Sequence, residues 1–209
     1  MAEVKICGIR DADMVSFAAR EGAGWIGINF IEISPRFVPF EAAGELIAAM
    51  GPAQAVALLA DPADEAVRAA AALGFPVIQL HGQETPERVS AIREMSGLEV
   101  WKAVGVRTRA HLAGAEAFKA ADRLLIDARA PEGSAQAGGH GNAFDWAILE
   151  GWTAPKPWLL AGGLTPENVA RAILDTGAAA VDVSSGVERE RGVKDKERVR
   201  AFIRAAKGL

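Results

Sequence analysis

Short runs rich in Val, Ile and Leu alternate along this chain with Ala-rich stretches of helical spacing, eight times over. The strand candidates are residues 4–7, 25–30, 55–59, 77–81, 100–104, 123–127, 158–161 and 180–183. Helix candidates follow each in turn, at 13–21, 40–50, 63–73, 86–95, 110–120, 143–149, 166–175 and 195–207. Strict alternation implies a parallel sheet with right-handed crossovers. Continuous apolar strands fit a sheet covered on both faces. Two parallel architectures compete, a doubly wound open sheet and a closed barrel. Eight equal units of about 26 residues in a 209-residue chain favour an α/β single-domain (β/α)8 barrel spanning residues 1–209. No linker, Ser/Gly tract or charge block divides it. Thr85-Pro86-Glu87 and Thr165-Pro166-Glu167 mark two helix starts, each with a capping hydroxyl followed by proline.

Composition removes several function classes. The chain is 50% hydrophobic with a formal charge of −4, so no basic excess exists to neutralise a phosphate backbone, and nucleic acid is not an expected partner. No apolar run reaches membrane-spanning length, and the first residues carry no apolar signal region. One cysteine, Cys7, excludes an intrachain disulfide and suits a reducing, cytoplasmic setting. The three histidines, His81, His111 and His140, lack paired metal-ligand spacing, and no glycine-rich nucleotide loop follows the first strand. The expectation is no metal and no cofactor.

Polar residues then interrupt the strands near their C-terminal ends, where barrel enzymes gather their chemistry. Alternation puts Lys5 and Cys7 on one face of the first strand and Gln79 and His81 on one face of the fourth. Asp127 ends the sixth strand, and Asp182 points into the barrel if Val181 and Val183 face the helices. Each has a simple structural explanation. A lone cysteine is usually a small buried hydrophobe, His81-Gly82 would close a strand, Asp127 would cap a turn, and Asp182 would pair with Lys5. Their coincidence at one rim points to a site. Gly162 and Gly163 follow strand seven, and Ser184, Ser185 and Gly186 follow strand eight, the loops with which barrels commonly bind phosphate. Arg36, after strand two, offers a planar fork for a carboxylate or phosphate. The longest irregular stretch, 128–142, reads as a lid or substrate-handling loop.

These segments together resemble the phosphoribosylanthranilate isomerase family of tryptophan biosynthesis. The resemblance rests on Lys5-Ile6-Cys7-Gly8, Ser34-Pro35-Arg36, Gln79-Leu80-His81-Gly82, Leu125-Ile126-Asp127, Gly138-Gly139, Phe144-Asp145-Trp146, Ala161-Gly162-Gly163-Leu164, and Asp182-Val183-Ser184-Ser185-Gly186-Val187-Glu188 followed by Gly192 and Lys194. It runs over nearly the whole chain. Three positions depart from the pattern: Arg10 stands where the family often has Thr, His140 replaces the Thr of a G-G-T-G loop, and Ile33 stands where Lys is frequent.

The resemblance implies a (β/α)8 enzyme performing an Amadori rearrangement of N-(5-phosphoribosyl)anthranilate, with no cofactor, in a monomer or homodimer. By the same resemblance Asp127 would be the general acid and Cys7 the general base. Arg36 would hold the anthranilate carboxylate, His81 and Asp182 would line the site, and Gly162, Gly163, Ser184, Ser185 and Gly186 would surround the phosphate. An ordinary carboxyl of pKa about 3.9 and thiol of about 8.5 both need environmental help in these roles at neutral pH.

Overall fold

The computed structural model describes residues 1–128 and 146–209. Eight parallel strands close on themselves in sequence order. They are β1 (Glu3–Cys7), β2 (Trp25–Asn29), β3 (Gln54–Leu59), β4 (Val77–Leu80), β5 (Glu99–Val106), β6 (Arg123–Ala128), β7 (Trp158–Ala161) and β8 (Ala180–Val183). β1 pairs with β2 on one side and β8 on the other, which completes the ring. The helices α1 (Ala12–Glu21), α2 (Ala43–Ala48), α3 (Asp64–Ala72), α4 (Pro86–Ser96), α5 (Arg109–Ala113), α6 (Val169–Thr176) and α7 (Lys196–Lys207) lie in the connections and after the last strand.

Alternation along each strand sorts side chains into two cores. Trp25, Val56, Val77, Trp101, Ala103, Leu125, Leu159, Ala161 and Ala180 form the cluster inside the barrel. Val4, Ile6, Ile26, Ile28, Ile78, Leu80, Leu124 and Ile126 point outward and join the larger cluster under the helices. At the N-terminal end of the barrel, Trp25 and Trp101 meet edge to face with centroids 5.3 Å apart. The Arg123 guanidinium lies 5.2 Å and 5.7 Å from those rings and pairs with Glu99 at 3.0 Å. This plug closes one end of the barrel and leaves chemistry to the other.

The expected strands all form, within two residues at either end. Helices differ more. The expected helix over 110–120 is the five-residue α5 followed by a 3-10 turn, Gly114–Ala117. The one over 143–149 is a 3-10 turn, Trp146–Leu149, within the described residues. Alanine-rich composition favours helix locally, but short segments rely on packing to persist. Thr85 caps α4, accepting from the Arg88 amide at 3.2 Å. At Thr165 the hydroxyl accepts from the Glu167 amide at 3.3 Å, yet regular helix begins only at Val169. A feature the strand pattern did not suggest follows β8: a 3-10 turn, Ser185–Val187, and a two-stranded antiparallel ribbon, β9 (Glu188–Glu190) and β10 (Val193–Lys194). The lid reading and the Gly138, Gly139 and His140 motif fall in 129–145, outside the described residues.

Candidate active site

Every candidate residue within the described chain except Arg36 lies within a few residues of the C-terminal end of its strand, Asp127 and Asp182 one position before it. Cys7 ends β1 and is opposite Gly27 of β2 in register. Asp127 is opposite Gly105 of β5 and Ala161 of β7. β1 and β6 are separated by β8 and β7, so thiol and carboxyl stand on facing walls of the barrel mouth.

The Asp127 wall carries a cavity of about 440 Å³ lined by His81, Glu84, Lys102, Arg107, Phe118 and Asp127, among others. His81 Nε2 approaches Asp127 Oδ2 at 3.7 Å, and its Nδ1 lies 3.1 Å from Gln79 Nε2. Gln79 is buried one position before the end of β4, which steadies the ring from below. The loop bearing His81 is clamped. Glu84 accepts from the Asp61 amide at 2.7 Å and the Gly82 amide at 3.0 Å, and Lys102 Nζ bonds it at 2.7 Å. Burial opposes ionisation of Glu84, but Lys102 and these amides outweigh it and hold its carboxyl below the usual range.

The Cys7 wall is richer in charge. Lys5, fully buried, bonds Asp182 Oδ1 at 2.8 Å. The two are in register on neighbouring strands, as the alternation suggested. Asp182 therefore lines the interior through Lys5. Burial pushes the Cys7 thiol up, against the pull of Lys5 and Lys194. Burial alone would lower Lys5, but Asp182 and Cys7 reverse the sign and raise it.

Arg36 does not present an uncommitted fork. Its Nε and Nη2 hold Glu188 Oε1 and Oε2 at 2.6 Å and 2.8 Å. Lys194 bonds the same carboxylate at 2.9 Å, and the Gly192 amide does so at 3.0 Å. Despite burial, these partners bring Glu188 down to about 2. Burial lowers Lys194 in spite of Glu188. The fork therefore arrives pre-oriented, with Nη1 outside this bidentate pair. Its loop is fixed by Ser34, whose Oγ accepts from the Arg36 amide at 3.1 Å and from Asn29 Nδ2 at 3.2 Å.

The phosphate candidates come together from two loops. Gly162 and Gly163 have φ of 91° and 64°, left-handed values that favour glycine. Gly186 is the middle residue of the 3-10 turn after β8, and a Cβ there would run into the Leu164 carbonyl. Loss of that side chain lets the β7 and β8 loops touch. Amides at the first positions of such a turn have no partner within it, so Ser185 and Gly186 offer donors there. The Ser184 hydroxyl donates to the Cys7 carbonyl at 3.1 Å. Arg198, from α7, holds the Gly186 carbonyl through Nε and Nη2 at 3.1 Å and 3.0 Å.

Sequence reasoning gave no role to Glu188, Lys194, Glu84, Lys102 or Arg198. Glu188 and Lys194 lie in the family-like segment, which was the available signal. Their contacts depend on the ribbon after β8. Lys102 offered another: a lysine inside an apolar strand needs a buried partner.

Comparison with known proteins gives a consistent picture. Residues 4–205 match the family model described as N-(5′-phosphoribosyl)anthranilate (PRA) isomerase. A protein of Hyphomonas neptunium named N-(5′-phosphoribosyl)anthranilate isomerase is 62% identical over 207 residues, covering 99% of this chain and 98% of its own. The crystal structure of phosphoribosyl anthranilate isomerase from Thermotoga maritima superposes with a TM-score of 0.90 at 35% identity, covering 100% of both chains. A second structure, of phosphoribosyl anthranilate isomerase in complex with reduced 1-(o-carboxyphenylamino)-1-deoxyribulose 5-phosphate, gives 0.85 at 32% identity, again covering 100% of both.

Proposed function

The chain belongs to the N-(5′-phosphoribosyl)anthranilate isomerase family, and from that premise we propose which of its residues carry out the Amadori rearrangement. It is an isomerase of tryptophan biosynthesis acting on a phosphorylated small molecule. The observation that carries the assignment of roles is the position of Cys7 and Asp127 at strand ends on facing walls of one barrel mouth.

Asp127 protonates the furanose ring oxygen. The C1′–O bond breaks toward that oxygen, and the anthranilate nitrogen lone pair forms the C1′=N bond of a Schiff base. Cys7, as thiolate, removes the proton from C2′. The C2′–H electrons form C1′=C2′, and the C=N electrons return to nitrogen. The enolamine then tautomerises to the aminoketose. The sequence is an internal redox exchange between C1′ and C2′, so the groups needed are a donor and an acceptor on opposite sides of the sugar.

Arg36 holds the anthranilate carboxylate through the part of its guanidinium that Glu188 leaves open. His81 steadies the ring-oxygen side beside Asp127, and Asp182 lines the interior through Lys5. Backbone amides around Gly162, Gly163, Ser184, Ser185 and Gly186 hold the phosphate. A working free thiol suits a reducing compartment such as the cytoplasm. Among the described residues no helix is long and apolar enough to cross a membrane.

Freshly generated phosphoribosylanthranilate should lose its fluorescence on addition of the protein, and inorganic phosphate should compete with it. Competition follows because the same amides would bind either anion. Equal rates with and without tens of millimolar phosphate, at constant ionic strength and low substrate, would remove the phosphate assignment.

A further inference from the structure

The charges packed around Cys7 do not balance without it. Lys5 comes from β1, Asp182 from β8, Arg36 from the loop after β2, Glu188 from β9 and Lys194 from β10. Three cations thus meet two carboxylates, and the described part of β2 beside the thiol contributes only Gly27. Lys5, Asp182 and Lys194 are all buried. An unbalanced buried charge is expensive, so these cations favour an anion beside them and pull against the burial that pushes the thiol up; Cys7 supplies that anion when it ionises.

The geometry selects Lys5 as the partner. A Cβ built on Gly27 would fall 3.0 Å from Cys7 Sγ and 3.1 Å from Lys5 Nζ. Both groups therefore crowd into the space that the missing side chain leaves. Asp182 tethers the ammonium at 2.8 Å, while Lys194 is engaged by Glu188 at 2.9 Å and by the Ser184 carbonyl at 3.0 Å. We infer that Lys5 is a positioning residue for the reaction: tethered by Asp182 and housed by Gly27, its ammonium stands beside Sγ and stabilises the thiolate that takes the C2′ proton. Lys5 stays an ammonium throughout. Sγ gains the proton and becomes a neutral thiol, and the C–H electron pair stays with the substrate.

This inference rests on Cys7 being the base, but its test does not need turnover. The protein has one cysteine and no tyrosine, so the pH-dependent ultraviolet absorbance of thiolate reports Cys7 without a second thiol or any tyrosinate beneath it. In Lys5→Met the thiolate should appear at higher pH than in the unmutated protein. Asp182→Asn leaves an amide oxygen to hold the ammonium and removes a competing anion, so with Lys5 still charged it should move the titration the opposite way. kcat/KM of Lys5→Met at neutral pH should fall roughly 10–10³-fold, the effect expected of a close opposite charge, and recover at high pH. Lys5→Arg should restore part of it. If Lys5→Met does not fold, Lys5→Met/Asp182→Leu removes both charges of the pair, and the Asp182→Asn titration still decides. Superimposable titrations, or shifts of the same sign in Lys5→Met and Asp182→Asn, overturn the inference. Opposite shifts with unchanged turnover would keep the Lys5–Cys7 coupling and remove Cys7 as the base instead.

Discussion

Replacing Glu188 with glutamine keeps the shape of the side chain and removes the one charge that Arg36, Lys194 and the Gly192 amide share. The folded carboxyl titrates at about 2, against 4.5 for an ordinary glutamate. At about 1.4 kcal/mol per pH unit, this separation amounts to about 3 kcal/mol of stability at pH 7. Its side chain is only 5% exposed, so solvent screening removes little of this. Because the folded value is depressed, the contribution is complete above the unfolded value of 4.5 and is lost as pH falls through about 2. By about pH 3 it should be under half as large. Urea unfolding of the unmutated protein and Glu188→Gln, compared from pH 7 to about pH 3, should show a gap that narrows on acidification. A pH-independent gap would mean that glutamine fails through shape. A gap that widens in acid would refute the ionised assignment. Turnover adds a second reading: with its fork released, Arg36 should bind substrate less well, so KM should rise more than kcat falls.

Two further variants test the same geometry. Arg36→Ala should lose roughly 1.5–3 kcal/mol of apparent substrate binding, and analogues without the anthranilate carboxylate should lose far less. Equal losses for both would end the assignment of that contact. Gly186→Ala forces a methyl against the Leu164 carbonyl, so inorganic phosphate should inhibit it more weakly and stability should drop by about 1–3 kcal/mol. An unchanged inhibition constant would mean that the two loops do not form the phosphate seat.

Legibility followed physical range. Strand and helix order is written in local hydrophobic spacing, so the closed barrel could be read directly. Cys7, Asp127 and Asp182 could be placed at one rim because strand alternation fixes which face each side chain takes. The Lys5–Asp182 pair was among the open readings for the same reason, and the structure places the two side by side. Arg36 was harder. Its partner Glu188 is 152 residues away, and only the ribbon after β8 brings them together. That ribbon escaped notice because β9 and β10 have three and two residues, too few for any period to appear. The helix expected over 110–120 forms only in part: alanine favours helix in isolation, while the chain between β5 and β6 folds into the five-residue α5 and a 3-10 turn.

The central claim is that Cys7 and Asp127 are the base and acid of one reaction. Turnover of freshly generated phosphoribosylanthranilate by Cys7→Ser and Asp127→Asn, each confirmed folded by urea unfolding, tests it most directly. Positioned acid–base groups contribute roughly 10²–10⁴-fold, so each variant should lose that much in kcat. Inhibition by inorganic phosphate should be unchanged, because neither side chain holds that anion. A Cys7→Ser protein with near-normal kcat would make the thiol a packing residue, and the same result for Asp127→Asn would move the acid elsewhere on the rim.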